Sequence, residues 1–216
     1  MKYYYKITQK TYPIGEIIDT DNCIDKDRIK RNNELLTCFE KAYSFSEDFE
    51  LPISVVLTEF ALKITPLPNN ILKRIKYIWK LYFLKIEMKK CDLQYSEISK
   101  YSLDFILEKS RIFIQNETKT ILPSRFESSF FFESEEDCKR YHLKFSYEGE
   151  IYIIKVEIIE PKELVRFDNN ILSDFSPYYT SVESLNKAKS YLIGNMSDNP
   201  LIEVVFQGKY KITDVI

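Results

Sequence analysis

Glu203 is the residue of this sequence that is best placed to do chemistry. It lies inside the run from 201 to 206, Leu-Ile-Glu-Val-Val-Phe, whose apolar and β-branched residues predict a strand. Pro200 can precede such a strand, and Gly208 permits a turn or a bulge before the apolar pattern resumes. A buried, ionised carboxylate is costly unless it is paired or hydrogen-bonded. Glu203 therefore either points to the wet face of the sheet or faces a cleft and does chemistry.

Five further residues lie on or beside predicted strands and suit ligand binding: Lys6, Thr8, Arg125, Phe130 and Phe131. Each also has an ordinary structural interpretation. Lys6 can face solvent, Thr8 can close a turn, and Arg125 can pair with Glu127. The aromatic run from 130 to 132 can be core, because one face of a sheet strand must be buried.

Composition restricts the classes of function. A chain of 216 residues, 44% hydrophobic and 30% charged, is typical of one large globular domain. It has only four glycines and no GxGxxG or GxxxxGK[ST] pattern, so a Rossmann or P-loop nucleotide site is not expected. The net charge of −2 provides no overall basic face for nucleic acid. The basic segment 73–90 mixes its charges with apolar residues at helical spacing, which indicates a solvated helix face.

Cysteine and histidine usage does not indicate a metal site. The four cysteines form no close pair, and the only histidine, His142, has no cysteine close to it in sequence. We expect reduced, mostly buried thiols. The N-terminus lacks an apolar signal core, and no segment approaches 18 uninterrupted apolar residues. These features predict a cytoplasmic, soluble protein with no membrane partner.

Residue periodicity predicts strands near the N-terminus and helices in the middle of the chain. Strands are predicted at 3–8 and, after a turn at 13–15, at 16–18. Helices are predicted around 35–43, after Leu51-Pro52, at 70–90 and from 102 to about 115. The helix at 70–90 is the clearest, with Asn69 or Asn70 as its cap. Apolar residues recur along it at intervals of three and four, and we expect this stripe to face the core: Ile71, Leu72, Ile75, Ile78, Trp79, Tyr82, Phe83 and Ile86.

Strands return in the last 90 or so residues. We expect a strand at 128–132, a helix at 135–145 capped by Ser134, and a strand at 151–159. A helix from Ser181 to 192, ended by Gly194, precedes the strand of Glu203. The loop 174–179 is aromatic and is expected to pack on the surface. This layout predicts one α+β domain over 1–216, whose N-terminal strand joins a sheet built mainly from the C-terminal half, with about 27–117 as a mainly helical insertion.

Three of these segments, in their chain order, resemble the ADP-ribosyltransferase-like fold. In that family the first strand presents a His or Arg, a middle strand presents a Ser or Tyr, and a late strand presents a catalytic Glu. The chain is similar to bacterial families of unknown function that begin Tyr-His-x-Thr, carry Pro-Ser-Arg before an aromatic strand, and end with Glu-Val-x-x-x-Gly. Here the matching residues are Tyr5-Lys6-Ile7-Thr8, Pro123-Ser124-Arg125 and Glu203-Val204 with Gly208. The resemblance covers the first ten and roughly the last hundred residues.

The resemblance implies a mixed sheet and NAD as the co-substrate for modifying an unknown macromolecule, either a protein or a nucleic acid. Glu203 would stabilise the oxocarbenium charge that develops on the ribose. Phe130 or Phe131 would stack on nicotinamide. Lys6, Thr8 and Arg125 would position the cofactor, with Thr8 at the adenosine-side ribose and Arg125 at the pyrophosphate. Glu203, Thr8 and the strand of Phe130 should then line one cleft.

The sequence also departs from the family. Lys6 stands in place of a His or Arg and cannot make a planar contact. Phenylalanine replaces the family's tyrosine and lacks its hydroxyl. Leu201 lies where arginine-modifying members carry a second Glu or Gln, so arginine is a poor acceptor. The alternative is a non-catalytic interaction module on the same scaffold. A third possibility is an unrelated α+β domain whose helical centre forms a partner interface.

Overall fold

The computed structural model describes residues 2–23, 26–52, 56, 67–90, 102–145, 150–172 and 181–216. It combines helices with strands, which confirms the predicted α+β class. The chain divides into two compact units. The first contains Met1–Lys26, Arg111–Asp174 and Ser190–Ile216, and the second contains Asp27–Ser110 and Phe175–Lys189. The assignment of one domain over 1–216 stays a prediction.

The sheet belongs to the first unit. Its strands are β1 (Tyr3–Thr8), β2 (Ile17–Asp19), β3 (Ser129–Phe132), β4 (Tyr152–Asp168) and β5 (Ile202–Val215), in the order β2-β5-β3-β1-β4. β4 also pairs with β5, so β1, β3, β5 and β4 close into a ring of pairings. Every described pairing is antiparallel, so the mixed sheet implied by the family resemblance is wrong for these strands.

The bending of β4 explains why the sheet closes. The predicted strand at 151–159 continues through Pro161 to Asp168, and register shifts at three places bend it against β5. Gly208 lies opposite Pro161 with φ +131°, and a Cβ there would lie 2.1 Å from the carbonyl oxygen of Glu160. Only glycine permits this close approach, which lets β5 run on without the turn that the sequence allowed.

The described helices are α1 (Thr20–Cys23), α2 (Lys26–Phe49), α3 (Ile71–Lys90), α4 (Ser102–Thr118), α5 (Glu135–Phe145) and α6 (Ser181–Leu192), with 3-10 turns at Arg125–Glu127 and Asn169–Leu172. The predicted caps are confirmed at Asn70, whose side chain accepts from the backbone N–H groups of Leu72 and Lys73, and at Ser134, which accepts from Asp137. The helix expected after Pro52 and the loop at 174–179 lie outside the described residues.

The sheet buries apolar residues on both faces. We name the face of Tyr4, Phe131, Val204 and Tyr210 the inner face, because its core draws on all five strands. The outer face carries Tyr5, Phe132, Ile153 and the adjacent Leu201, and Cys138 of α5 packs against it.

The second unit is built on an aromatic core. Tyr77 of α3 packs against Phe45 and Phe49 of α2, with ring centroids 4.8 and 4.9 Å away. Phe105 of α4 stacks on Phe39 of α2 at 5.5 Å. Within the described ranges, no helix combines the length and the hydropathy needed to cross a bilayer.

Candidate functional site

Glu203 lies in the interior, on the outer face of the sheet. It is 2% exposed. Its partners across the sheet are Phe132 on β3 and Phe167 on β4, and side chains of directly opposed residues share a face. Both ways in which the sequence accounts for Glu203, a wet face or an open cleft, leave the carboxylate accessible, whereas the structure buries it.

Two donors converge on one oxygen of Glu203. The Tyr191 hydroxyl, near the end of α6, donates to Oε2 over 2.5 Å, and Nη1 of Arg125 donates to the same atom over 3.0 Å. Arg125 also donates to the Tyr191 hydroxyl oxygen over 2.8 Å. We name these three residues the Glu203 cluster.

Aromatic rings hold the donors of the cluster in place. The Arg125 guanidinium lies 4.4 Å from the centroid of the Phe130 ring, within the range of a cation–π contact. The Tyr191 ring packs on Phe167 with centroids 4.6 Å apart. The 3-10 turn that carries Arg125 lies just before β3, which carries Phe130, so the two residues are close in sequence and their relative position is set by one short segment. The side chain of Arg125 is 11% exposed.

The electrostatics of the cluster favour a neutral phenol, because burial and then the charge of Glu203 hold the Tyr191 pKa well above its ordinary value, while Arg125 only partly opposes this. Tyr191 therefore stays a donor to Glu203. A carboxylate that stabilises a developing cation must direct its lone pairs at that cation. Oε2 of Glu203 already directs its lone pairs at Arg125 and Tyr191, which makes the cluster an internal ion pair.

The other predicted site residues lie on the inner face. The ammonium of Lys6 is 3.5 Å from both the Ser129 hydroxyl and the Tyr210 hydroxyl. Thr8 accepts from the backbone N–H of Lys10 over 3.0 Å and so closes a turn. Phe131 is fully buried among Tyr4, Phe206 and Tyr210. The structure thus brings Arg125, Phe130 and Glu203 together and places Lys6, Thr8 and Phe131 on the opposite face of the sheet.

Tyr191 is the residue of this cluster that sequence reasoning missed. Nothing in the spacing of α6 distinguishes it from an ordinary apolar position. The sequence offers Arg125 its neighbour Glu127 as a partner, whereas Glu203 lies 78 residues away. The described residues contain no group of acidic, His or Cys side chains arranged to hold a metal ion. Burial raises the pKa of the Cys138 thiol to about 12, so it is not a nucleophile.

Comparison with known proteins adds no relative. The chain matches no protein-family model, and the search of curated proteins finds no similar sequence.

The second unit presents an apolar surface on α3. We name it the α3 face and define it by seven side chains that are 49 to 77% exposed: Ile71, Leu72, Ile75, Ile78, Trp79, Tyr82 and Phe83. The prediction that this stripe faces the core is wrong for these seven residues. Among the residues of α3 whose burial is described, Tyr77 and Leu84 are buried, and they lie on the other side of the helix.

Three rings at the middle of the α3 face are arranged against one another. Phe83 stacks with Trp79 at 5.7 Å and meets Tyr82 edge-on at 5.9 Å. An aromatic side chain carries about 150–250 Å² of surface, so seven large side chains that are 49 to 77% exposed present several hundred Å² in total. The largest apolar patch on a typical monomer is about 300–600 Å². The α3 face is at least that large.

The sequence contains a signal that could have shown this orientation. Tyr77, Leu81 and Leu84 form a second apolar row at i, i+4 and i+7, opposite the longer stripe. A helix that is apolar on two sides must bury one and leave the other for a second partner. The exposed stripe is the longer of the two apolar rows, so the sequence alone favours its burial. The ring contacts of Tyr77 with α2 decide the orientation instead, and they depend on tertiary structure.

Proposed function

We propose that this protein is a non-catalytic interaction module and that the α3 face is its binding surface. The observation that carries the proposal is the exposure of seven large apolar residues on one side of one helix. Soluble proteins rarely leave a contiguous surface of this size uncovered unless it binds something.

The composition of the α3 face supports this function. Aromatic residues are enriched at protein interfaces, and binding energy concentrates in a few of them near the centre of the contact. Trp79, Tyr82 and Phe83 lie together in that position. Their mutual ring contacts limit their rotamers before binding, which lowers the entropy cost of ordering them in a complex.

The state of Glu203 supports a non-catalytic role. The proposed catalytic carboxylate is bonded to two internal donors, and three of the five predicted cofactor residues lie on the other face of the sheet. A reaction at Glu203 would require the cluster to open and expose a charge that is paired in the folded protein.

Quantitative affinity capture from the source cells tests the proposal. The bait is the whole chain, compared with a variant carrying Trp79→Ser and Phe83→Ser and with Lys139→Ser, a change at an exposed lysine of α5 in the first unit. We expect one set of proteins to be enriched by the wild type and by Lys139→Ser and to be lost with the double variant. Equal capture by all three baits would contradict the assignment of this surface.

NAD-dependent ADP-ribosyl transfer is the second candidate function. One observation favours it, namely that Arg125, Phe130 and Glu203 meet at one place, as the family resemblance requires of three of its residues. Calorimetric titration with NAD, for the wild type beside Glu203→Gln, tests it. Saturable binding that Glu203→Gln abolishes would support this candidate, and absence of heat at millimolar NAD would dismiss it.

A further inference from the structure

We infer that the α3 face binds an amphipathic helix of another protein whose apolar side is flanked along one edge by Asp and Glu. This inference rests on the proposed function and specifies the partner. It follows from the distribution of charge on the two edges of the α3 face.

The two edges of the face differ in how their charges are used. On one edge, Lys76 and Lys80 both pair with Asp48 of α2, and Lys90 pairs with Glu87. Glu87 also pairs with Lys41. This edge therefore meets its charge requirements within the protein.

The other edge carries Arg74, Lys85 and Lys89, which follow the row of Ile78 at helical spacing. Among the described residues, none of these three cations forms an ion pair with a carboxylate. Three cations along one edge of an apolar helix face attract carboxylates at matching positions on the docked helix. The predicted partner is therefore acidic on one flank only.

A second copy of this chain does not provide those carboxylates from the same helix. α3 contains seven basic residues and one acidic residue, Glu87, which already accepts from Lys41 and Lys90. Packing α3 against α3 would bring its cations together without counter-charges, and like charges at an interface cost affinity.

An anionic bilayer fits less well than a protein helix. A helix lying in a membrane interface has anionic headgroups along both edges. Here one edge holds Asp48 and Glu87. The hydrogen bonds from Lys41 and Lys90 hold the pKa of Glu87 below its usual value. Burial raises the pKa of Asp48, but the hydrogen bonds from Lys80 and Lys76 outweigh it and lower the pKa. Both carboxylates stay charged and hold the lysines of this edge, so those cations are already paired and contribute less to headgroup binding than the other edge does.

Trp79 makes the inference directly testable, because it is the only tryptophan of the chain and lies in the α3 face. Its fluorescence can be followed while the whole protein is titrated with two synthetic helices of about 18 residues, or five turns. Both lack tryptophan and share a leucine face, and they differ in carrying Glu or Lys along one flank. We expect a blue shift and saturation with the Glu peptide, about ten-fold tighter than with the Lys peptide at ~0.15 M salt, and a smaller ratio at high salt.

Matched charge reversals locate the effect. The double variant Arg74→Glu with Lys85→Glu should reverse the preference between the two peptides. Lys73→Glu makes the same kind of change on the same helix, in the row of Tyr77 and away from the face, and should alter neither affinity by more than roughly two-fold.

Four results would overturn the inference. The first is equal affinity for both peptides, and the second is no response to any probe. The third is a blue shift with phosphatidylcholine–phosphatidylserine vesicles but with neither peptide. The fourth is a blue shift, together with sedimentation as a dimer, when the protein alone is concentrated. If the capture experiment depends on Trp79 and Phe83 while the peptides bind equally, the proposed function stands and only the acidic partner fails. If capture does not depend on Trp79 and Phe83 and the peptides also bind equally, the proposed function fails as well.

Discussion

The Glu203 cluster and the α3 face meet their physical requirements in opposite ways. Glu203 is a carboxylate in the interior, and two donors from the same chain, Arg125 and Tyr191, bind its Oε2. The α3 face is an apolar surface in water, and no contact described within the chain covers it. The residue that suggests chemistry is thus held in an ion pair within the chain, whereas the stripe that suggests an ordinary core is exposed. Function is better sought where the folded chain leaves a requirement unmet.

Removal of Arg125 should have the largest effect on stability. Arg125→Ala should lower the free energy of unfolding by about 3–5 kcal/mol, because it leaves the Glu203 carboxylate buried without its cation. Urea unfolding at neutral pH measures the loss. The double variant Arg125→Met with Glu203→Leu removes both charges and should recover much of it. A loss below about 1 kcal/mol for Arg125→Ala would show that water reaches Glu203, as an open site requires.

The next largest effect should come from Asp168, whose hydrogen bonds hold the chain segment that leads into β5. Its carboxylate accepts from the backbone N–H groups of Asn170, Ser197 and Leu201 and from the Ser197 hydroxyl. Asp168→Asn presents an amide NH₂ to these donors and should cost about 2–4 kcal/mol of unfolding free energy. Asp198→Asn, at an exposed position in the same segment, is the matched control and should be near neutral.

The same carboxylate gives a pH dependence. Burial raises the pKa of Asp168, but the hydrogen bonds from Ser197, Leu201 and Asn170 outweigh it and hold the pKa below the ordinary value. Because the folded pKa is the lower one, the contribution is fully present above the unfolded value of about 3.9 and is lost as the pH falls through the folded value. Urea unfolding from pH 6 downward should show a loss of stability in this range that is absent in Asp168→Asn. An identical pH profile for both proteins would contradict this role.

A smaller loss is expected for Tyr191→Phe, which keeps the ring on Phe167 and removes one hydrogen bond to a charged acceptor. The expected cost is about 1.5–3 kcal/mol of unfolding free energy. Chemical denaturation measures it. A neutral result would mean that a water molecule replaces the hydroxyl and that the interior around Glu203 is wet.

The smallest effect on stability should be at the α3 face. Trp79→Ser should change the free energy of unfolding by no more than ~0.5 kcal/mol, as exposed substitutions do. Tyr77→Ala, on the buried side of the same helix, should cost about 3–5 kcal/mol. If the two variants are equally destabilised, α3 is buried on both sides and the contrast between the two regions disappears.

Local signals predicted most of the elements and few of the contacts. The strand at 3–8, the helix at 135–145 and its Ser134 cap follow from alternation and capping chemistry in adjacent residues. The closure of β4 onto β5 does not, because it depends on bulges and on the approach of Gly208 to Glu160. The bond from Arg125 to Glu203 joins residues 78 positions apart, and many other carboxylates, Glu127 among them, lie closer to Arg125 in sequence. Alternation within each strand shows which neighbours share a face with Thr8 and which share a face with Glu203. Whether Thr8 and Glu203 lie on the same face of the sheet depends on the register between their strands.

The most direct measurement of the central claim is acrylamide quenching of Trp79 in the dilute protein, compared with the same protein unfolded in urea. Trp79 is 54% exposed and is the only indole in the chain, so its quenching reports on the α3 face alone. We expect native Trp79 to be quenched about as readily as in the unfolded chain, and we expect a bound acidic helix to protect it. Strong protection of Trp79 in the free protein would contradict the account, because the α3 face would then be core.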